Sequence, residues 1–383
     1  MLEVQGQATL KKLLPQILIA LVALGGYLAA DRLNAPIRVL PVTYRVDPKI
    51  SVNMEMLQKA SVLFAGDHHA KRLNKYRDQF RDLIVPANVK NFKIINIAGE
   101  NEGIHRTFRK LKKIEKLPKV IVYMGGTREF YEKKFRLKDR SEIYNNFSVY
   151  TNTLKVSLIL IFPYLSKFLY QPTKFYVLPD EPIKDEQLYN GIQAQVRSEL
   201  SFKFFQLEFT EMVKYINEKG SSLIVITPPL KRDIKPHVIC DNSKSEEIEL
   251  FQNKMENLIE LNKYIEAIPL LKELTQKTVA NSRSYYLYGQ ALMKAGKIRE
   301  ALTAFTKSHS FDCDPQNGHI AFNAIIQGTY QQNQNFKLFD FDRKLTNLFG
   351  KESVFFSDIY PQDIFYQNLI TDVAKYTKNI LNL

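Results

Sequence analysis

The sequence predicts an α/β domain of three layers, a parallel sheet between helices, with an α-helical insert and an N-terminal transmembrane helix. Three observations predict this. Short apolar runs alternate with segments of helical spacing, the rhythm of a parallel sheet covered on both faces. Residues 247–312 break that rhythm with small and aromatic residues that recur at helical-repeat spacing. Residues 13–30 form an uncharged, mostly apolar run of 18 residues, long enough to span a bilayer core.

The chain divides into an anchor (1–32), a linker (33–56), a first part of the α/β domain (57–240), the insert (241–316) and a last part (317–383). Lys11 and Lys12 precede the apolar run, and Asp31 and Arg32 follow it. The lysine pair favours a cytoplasmic N-terminus with the main domain outside the cytoplasm, as in a single-pass inner-membrane protein. A cleaved signal peptide and a buried helix are the rival readings, although Leu28-Ala29-Ala30 is a weak cleavage site.

Strands are expected at 60–65, 91–98, 119–124, 222–227 and 335–341, and helices at 71–83, 103–116, 199–218 and 363–380. Right-handed crossovers then gather the loops after the strands on one edge, where such folds place their sites. Residues 156–170 are very apolar but carry Pro163 and Lys167 and are too short to span a bilayer. They read as a buried helix or as a membrane-surface or partner-docking helix.

In the insert, Tyr285, Tyr288, Gly289, Leu292, Gly296, Ala301 and Phe305 follow the spacing of a tetratricopeptide repeat. Ala267 and Leu271 stand one 34-residue period before Ala301 and Phe305. Small residues at 289 and 301 let two antiparallel helices approach, and aromatics at 285 and 305 fill the space around them. Two such pairs are too few for an independent solenoid, so they must pack on the α/β domain, on a partner, or on both. Tyr285, Tyr288, Gly289 and Phe305 are the expected partner-binding set.

Composition is ordinary for a globular protein, at 45% apolar and 25% charged residues. The formal net charge of +14 favours anionic partners such as lipid headgroups or acidic glycans. No nucleic-acid motif is present, and nucleic acid is not expected as a partner. Residues 106–140 hold 13 Lys or Arg against four Glu or Asp. They read as solvated helix faces or as a contact for anionic lipid or an acidic partner. Cys240 and Cys313 are the two cysteines, with no metal or redox spacing; one disulfide and two unpaired thiols both stay open. His105, His237, His309 and His319 are scattered without usable spacing.

The first strand runs into Gly66-Asp67-His68-His69. Gly99 or Gly103 follows the second. The third leads to Gly126-Thr127-Arg128-Glu129-Phe130-Tyr131. The fourth leads to Thr227-Pro228-Pro229-Leu230-Lys231-Arg232-Asp233. Near the end stands Ser357-Asp358-Ile359-Tyr360-Pro361. In this order the blocks resemble the SGNH (GDSL-type) hydrolases, a flavodoxin-like fold, and specifically their bacterial branch with tetratricopeptide repeats.

The resemblance implies a nucleophilic serine where His68 stands, an oxyanion glycine at Gly99 or Gly103, an oxyanion asparagine where Arg128 stands, and an Asp-x-x-His pair where Ser357 and Tyr360 stand. Acyl transfer needs a nucleophilic hydroxyl, a base and oxyanion donors. A tyrosine, with a pKa of about 10, is a poor base at neutral pH. The expectation is therefore a pseudo-hydrolase whose vestigial positions are Asp67, His68, Gly99, Arg128, Asp358 and Tyr360. A ligand pocket of His68, Arg128, Lys231 and Arg232 would suit an anionic group. A metal at Asp67, His68, His69 and Asp358 is not expected, because adjacent histidines usually point apart; no cofactor is expected either.

The leading expectation is a non-catalytic, membrane-anchored scaffold or binding protein of the bacterial envelope. The alternatives are an esterase or acyltransferase acting on acyl groups of cell-surface glycans, and a binder of an anionic glycan or small ligand without turnover.

Overall fold

The computed structural model describes residues 50, 52–86, 89, 91–132, 141, 191–240 and 246–383. Apart from residue 141, these fall in one compact unit. The expected anchor at 13–30 and the apolar segment 156–170 lie outside the described residues. Among the described residues, no helix is long and apolar enough to cross a membrane.

Five strands form one parallel sheet: β1 Val62–Gly66, β2 Ile94–Asn96, β3 Val120–Met124, β4 Ser222–Ile226 and β5 Lys337–Phe339, in the order β2-β1-β3-β4-β5. That is the doubly wound, flavodoxin-like order, with its switch point between β1 and β3.

Alternate strand residues feed two cores. Leu63, Ala65, Ile121, Tyr123, Leu223 and Val225 face the helices Ile104–Lys113, Gly191–Glu218 and Ile320–Asn333. Val62, Phe64, Val120, Val122, Ile224 and Ile226 face Arg77–Ile84, Phe341–Thr346 and Asp363–Leu381.

Differences from expectation have local causes. The helix expected at 71–83 is three pieces: His68–Arg72, a 3-10 turn at Leu73–Tyr76, and Arg77–Ile84. The turn swings Tyr76 so that its hydroxyl reaches Asp363 at 2.6 Å. The second strand is shorter than the expected 91–98, because Asn96 turns its side chain on the backbone, accepting from Ala98 N at 2.9 Å and donating to Ala70 O at 2.8 Å. The helix expected from 199 starts at Gly191.

The insert is two helical hairpins, Glu246–Glu260 with Tyr264–Lys277 and Ser282–Lys294 with Ile298–Ser310, around a third core that includes Leu271, Leu287, Leu292 and Phe305. A Cβ added at Gly289 would sit 2.8 Å from the Phe305 ring, so the glycine is what lets Ser282–Lys294 close on Ile298–Ser310. Phe305 is 1% exposed, and Tyr285 is also buried. Both fill the spaces between helices, so neither offers its ring to a partner. The module rests on the α/β domain through Phe349, 6.0 Å from the Phe305 ring, and through Gly350 against Ile298.

At its neck Cys240 and Cys313 are joined in a disulfide, beside a backbone ladder in which Cys240 N donates to Phe311 O and Cys313 N to Val238 O. Sequence had left this pair open.

Candidate functional site

The strand edge is organised by the turn after β1. Gly66 has φ +132°, and a Cβ there would lie 1.9 Å from Met124 O, so only glycine lets the turn pass against β3. Asp67 follows and is fully buried. Its Oδ1 accepts from His69 N at 2.9 Å, capping the short helix. Its Oδ2 accepts from Thr127 N at 3.0 Å and Thr127 Oγ1 at 2.5 Å. One carboxylate thus ties the loops after β1 and β3 together. Thr127, which sequence reasoning passed over, supplies two of its three donors.

His68 is 3% exposed. Its Nδ1 accepts from Arg128 Nε at 3.1 Å, which leaves the ring proton on Nε2, an atom without a partner among the described residues. Burial, with the Arg128 charge, holds this imidazole well below the usual histidine range. Asp67 Oδ1 lies 3.8 Å from it, but that carboxylate is already spent on amides and a hydroxyl, so the ring stays neutral.

His69 is wholly buried, with Nδ1 2.7 Å from Tyr366 Oη. It too is held well below the histidine range, first by burial and then by His68. The two imidazoles do not point apart as expected: their centroids are 4.2 Å apart. The helical turn starting at His68 brings them together, and Tyr360 meets both edge-on at 5.5 and 5.4 Å. Among the described residues, no group of three or more His, Cys, Asp or Glu is disposed to hold a metal.

Tyr360 is partly buried, and burial raises its pKa above the tyrosine value. The Arg72 guanidinium stacks 4.6 Å from its ring while pairing with Asp363 at 2.9 Å. Ser357 Oγ accepts from Tyr360 N at 2.9 Å, a turn-holding role. Asp358 is exposed and pairs with Lys231 at 2.8 Å.

The remaining expected ligand residues separate. Arg128 Nη1 donates to Gln316 O at 3.2 Å, and the neighbouring Asn317 Nδ2 donates to Lys231 O at 3.0 Å. These contacts string His68, Arg128, Lys231 and Asp358 along one edge. Arg232 instead turns inward, donating to buried Asp342 at 2.5 Å. Asp342 also accepts from Leu230 N at 3.0 Å, so this ion pair pins the loop after β4.

The glycines after β2 also differ in role. Gly99 N donates to Gly66 O at 3.2 Å. Gly103 caps the helix Ile104–Lys113, whose first amides are already taken. Ile104 N donates to Glu129 Oε1 at 2.7 Å, and His105 N and Arg106 N donate to Glu132 at 3.2 and 3.0 Å. Two carboxylates from the loop after β3 thus occupy a helix N-terminus that would otherwise attract an anion. Beneath them Lys110 pairs with Glu102 at 2.5 Å, and His105 Nδ1 meets Glu208 Oε1. Sequence signals for this layer existed, in Glu129 and Glu132 three residues apart after a glycine pair.

No family model matches the chain, and no curated protein matches it. Two solved structures are similar. One is an inferred acylhydrolase from Bacteroides fragilis, at TM-score 0.34 and 9% identity, covering 84% of this chain and 88% of that one. The other is a GDSL-like lipase from Bacteroides thetaiotaomicron, at TM-score 0.34 and 8% identity, covering 84% and 89%.

Proposed function

We propose that this chain is a non-catalytic, membrane-anchored scaffold of the bacterial envelope, built on a degenerate SGNH-hydrolase-like domain whose tetratricopeptide-like insert is the docking element. The observation that carries the reading is the Arg128–His68 contact. At the place the family resemblance gives to the serine nucleophile, a neutral, buried imidazole has its Nδ1 filled by a cation. The residue at the position of the general base is a tyrosine whose pKa is raised, so it holds its proton at neutral pH. The hydroxyl beside His68, Thr127 Oγ1 at 3.4 Å from Nδ1, donates to Asp67 at 2.5 Å, so among the described residues it is held as a support of the turn and not aimed as a nucleophile. Asp67, Gly66 and Thr127 keep the turn in shape without chemistry to serve.

The Cys240–Cys313 bridge supports a main domain outside the cytoplasm, because such bridges persist in oxidising compartments. Docking through the insert is supported by its outer surface, where Leu250, Leu261 and Ile265 are 62%, 68% and 66% exposed and a groove of about 600 Å³ runs between Glu246–Glu260 and Tyr264–Lys277.

The reading is tested with the full-length chain in detergent and an aryl acetate ester. No hydrolysis above buffer is expected. Turnover that disappears in His68→Ala would overturn the scaffold reading and put an esterase or acyltransferase in its place.

A further inference from the structure

The opposite edge of the sheet carries a row of lysines at the strand starts, away from the turn after β1. Lys59 stands three residues before β1, Lys93 one before β2, Lys119 one before β3, Lys219 three before β4, and Lys337 opens β5. In a parallel sheet all strand starts share one edge, and neighbouring strands lie about 4.8 Å apart, so five starts span roughly 20 Å. Lys59, Lys93, Lys119 and Lys219 are exposed, and Lys337 is half-buried beside the Tyr376 ring at 5.2 Å.

Lys112 and Lys113 reach the same edge at the end of Ile104–Lys113. They complement the helix dipole there and so say less. Lys59 and Lys219 follow the ends of Met54–Gln58 and Gly191–Glu218 and share that duty, whereas Lys93, Lys119 and Lys337 have none of it. Glu55, Asp82, Glu115 and Glu218 are acidic groups nearby; Glu55 pairs with Lys59 at 2.5 Å and Asp82 with Arg81 at 3.6 Å, and the row stays net positive.

A second feature shares this edge. Met56, Leu83 and Val89 are 48%, 38% and 38% exposed. Met56 lies in the short helix before β1, Leu83 ends the helix that descends toward β2, and Val89 lies in the loop between. Lysines ringed by single protruding apolar side chains are what a surface resting on lipid headgroups needs: amines for phosphates, apolar tips for the interfacial layer.

We propose that this N-terminal edge docks on an anionic lipid surface, leaving the turn after β1 and the helical module on the far side. The proposal rests on the membrane-anchored reading, since the chain enters the domain from residue 50 through the helix Met54–Gln58 at this same edge. The lipid holds the domain in one orientation, so that the module presents its groove away from the bilayer.

The experiment reconstitutes the full-length chain in phosphatidylcholine vesicles with and without phosphatidylglycerol. Lysine acylation by an amine-reactive reagent is followed residue by residue by mass spectrometry. With phosphatidylglycerol, Lys93, Lys119 and Lys219 should react at least about threefold more slowly, with protection lost at high salt as screening shortens the electrostatic reach. Lys254 and Lys272, exposed on the module, should not change. A chain that stays with the vesicles while all five lysines react alike in both lipids overturns the proposal.

A chain that phosphatidylcholine vesicles do not retain refutes the anchor instead. The edge is then judged alone: retention by phosphatidylglycerol vesicles that is lost in Lys93→Glu/Lys119→Glu supports docking, and no retention overturns it. Both side chains are exposed, so this double variant leaves the packed core untouched.

Discussion

The turn after β1 and the outer face of the helical module differ in what they leave available. At the turn every polar feature is turned inward. Asp67 spends both oxygens on His69 and Thr127, Arg128 closes on His68, and two glutamates fill the nearest helix N-terminus. On the module the aromatic and small residues are turned inward too, but Leu250 stands in solvent at the groove, and Leu261 and Ile265 stand in solvent at the turn between the two helices. Large apolar side chains left in solvent beside a groove are where a contact would gain most from burial. The difference is one of satisfaction: the turn after β1 meets its polar groups from within the fold, while the module leaves large apolar side chains in solvent.

The largest expected effect falls on the neck that joins the two regions. The bridge closes a separation of 73 residues, and on the chain-entropy account its loss costs about 4 kcal/mol. Cys240→Ser/Cys313→Ser, or added reductant, should lower the denaturation midpoint of the module more than that of the α/β domain. Equal shifts, followed by separate probes in each, would show that the two regions unfold as one unit and would weaken the contrast.

Asp67→Ala comes next. It removes an acceptor for three donors in a fully buried place, which should cost roughly 3 kcal/mol or more. Guanidinium titration reads it. A cost under 1 kcal/mol, by the same reasoning about unmet buried donors, would mean that the turn holds without its carboxylate.

Acid should then separate the regions further. His68, His69, His309 and His319 are held below the normal histidine range by burial, His319 to about 4. The unfolded chain binds these protons first. Their contribution is therefore intact above about pH 6.5 and is lost as pH falls toward 4, at about 1.4 kcal/mol per pH unit per fully responding group. Buried Glu102, Asp312 and Asp342 are raised and act in the opposite sense. The readout is thus a difference. His319→Asn keeps an acceptor for Ala321 N and should flatten the loss of thermal stability between pH 6.5 and pH 4. An unchanged slope would place the acid response elsewhere.

Much of this was legible in the chain because it follows from short-range rules. The buried runs at β1, β3 and β4 announce themselves as strands, and Gly289 and Phe305 at helical-repeat spacing announce a close helix contact. What was not legible depends on distant neighbours. Nothing near Cys240 says that Cys313 returns beside it. The break at Leu73–Tyr76 exists because Tyr76 meets Asp363, far along the chain. Tyr285 and Phe305 read equally well as surface anchors or as filler, and packing decided for filler. The lysine row was hidden most completely, since its members lie in five separate segments and meet only when the parallel sheet lines up its strand starts.

The smallest effect on stability should carry the largest consequence for function. Leu250 is 62% exposed on Glu246–Glu260 and lines the groove. Replacing it with glutamate removes no buried contact, so stability should move by no more than about 0.5 kcal/mol, as for surface substitutions in general. A carboxylate placed on an apolar docking surface nevertheless has to be desolvated when a partner arrives. Leu250→Glu should therefore abolish retention of whatever membrane protein co-purifies with the wild type after solubilisation, while His68→Ala retains it. Gly289→Trp should also lose the partner, but through loosened packing that the denaturation curve reveals, because a Cβ alone already meets Phe305 at 2.8 Å. The reverse pattern, with retention kept in Leu250→Glu and lost in His68→Ala, would return binding to the turn after β1 and reverse the comparison between the two regions.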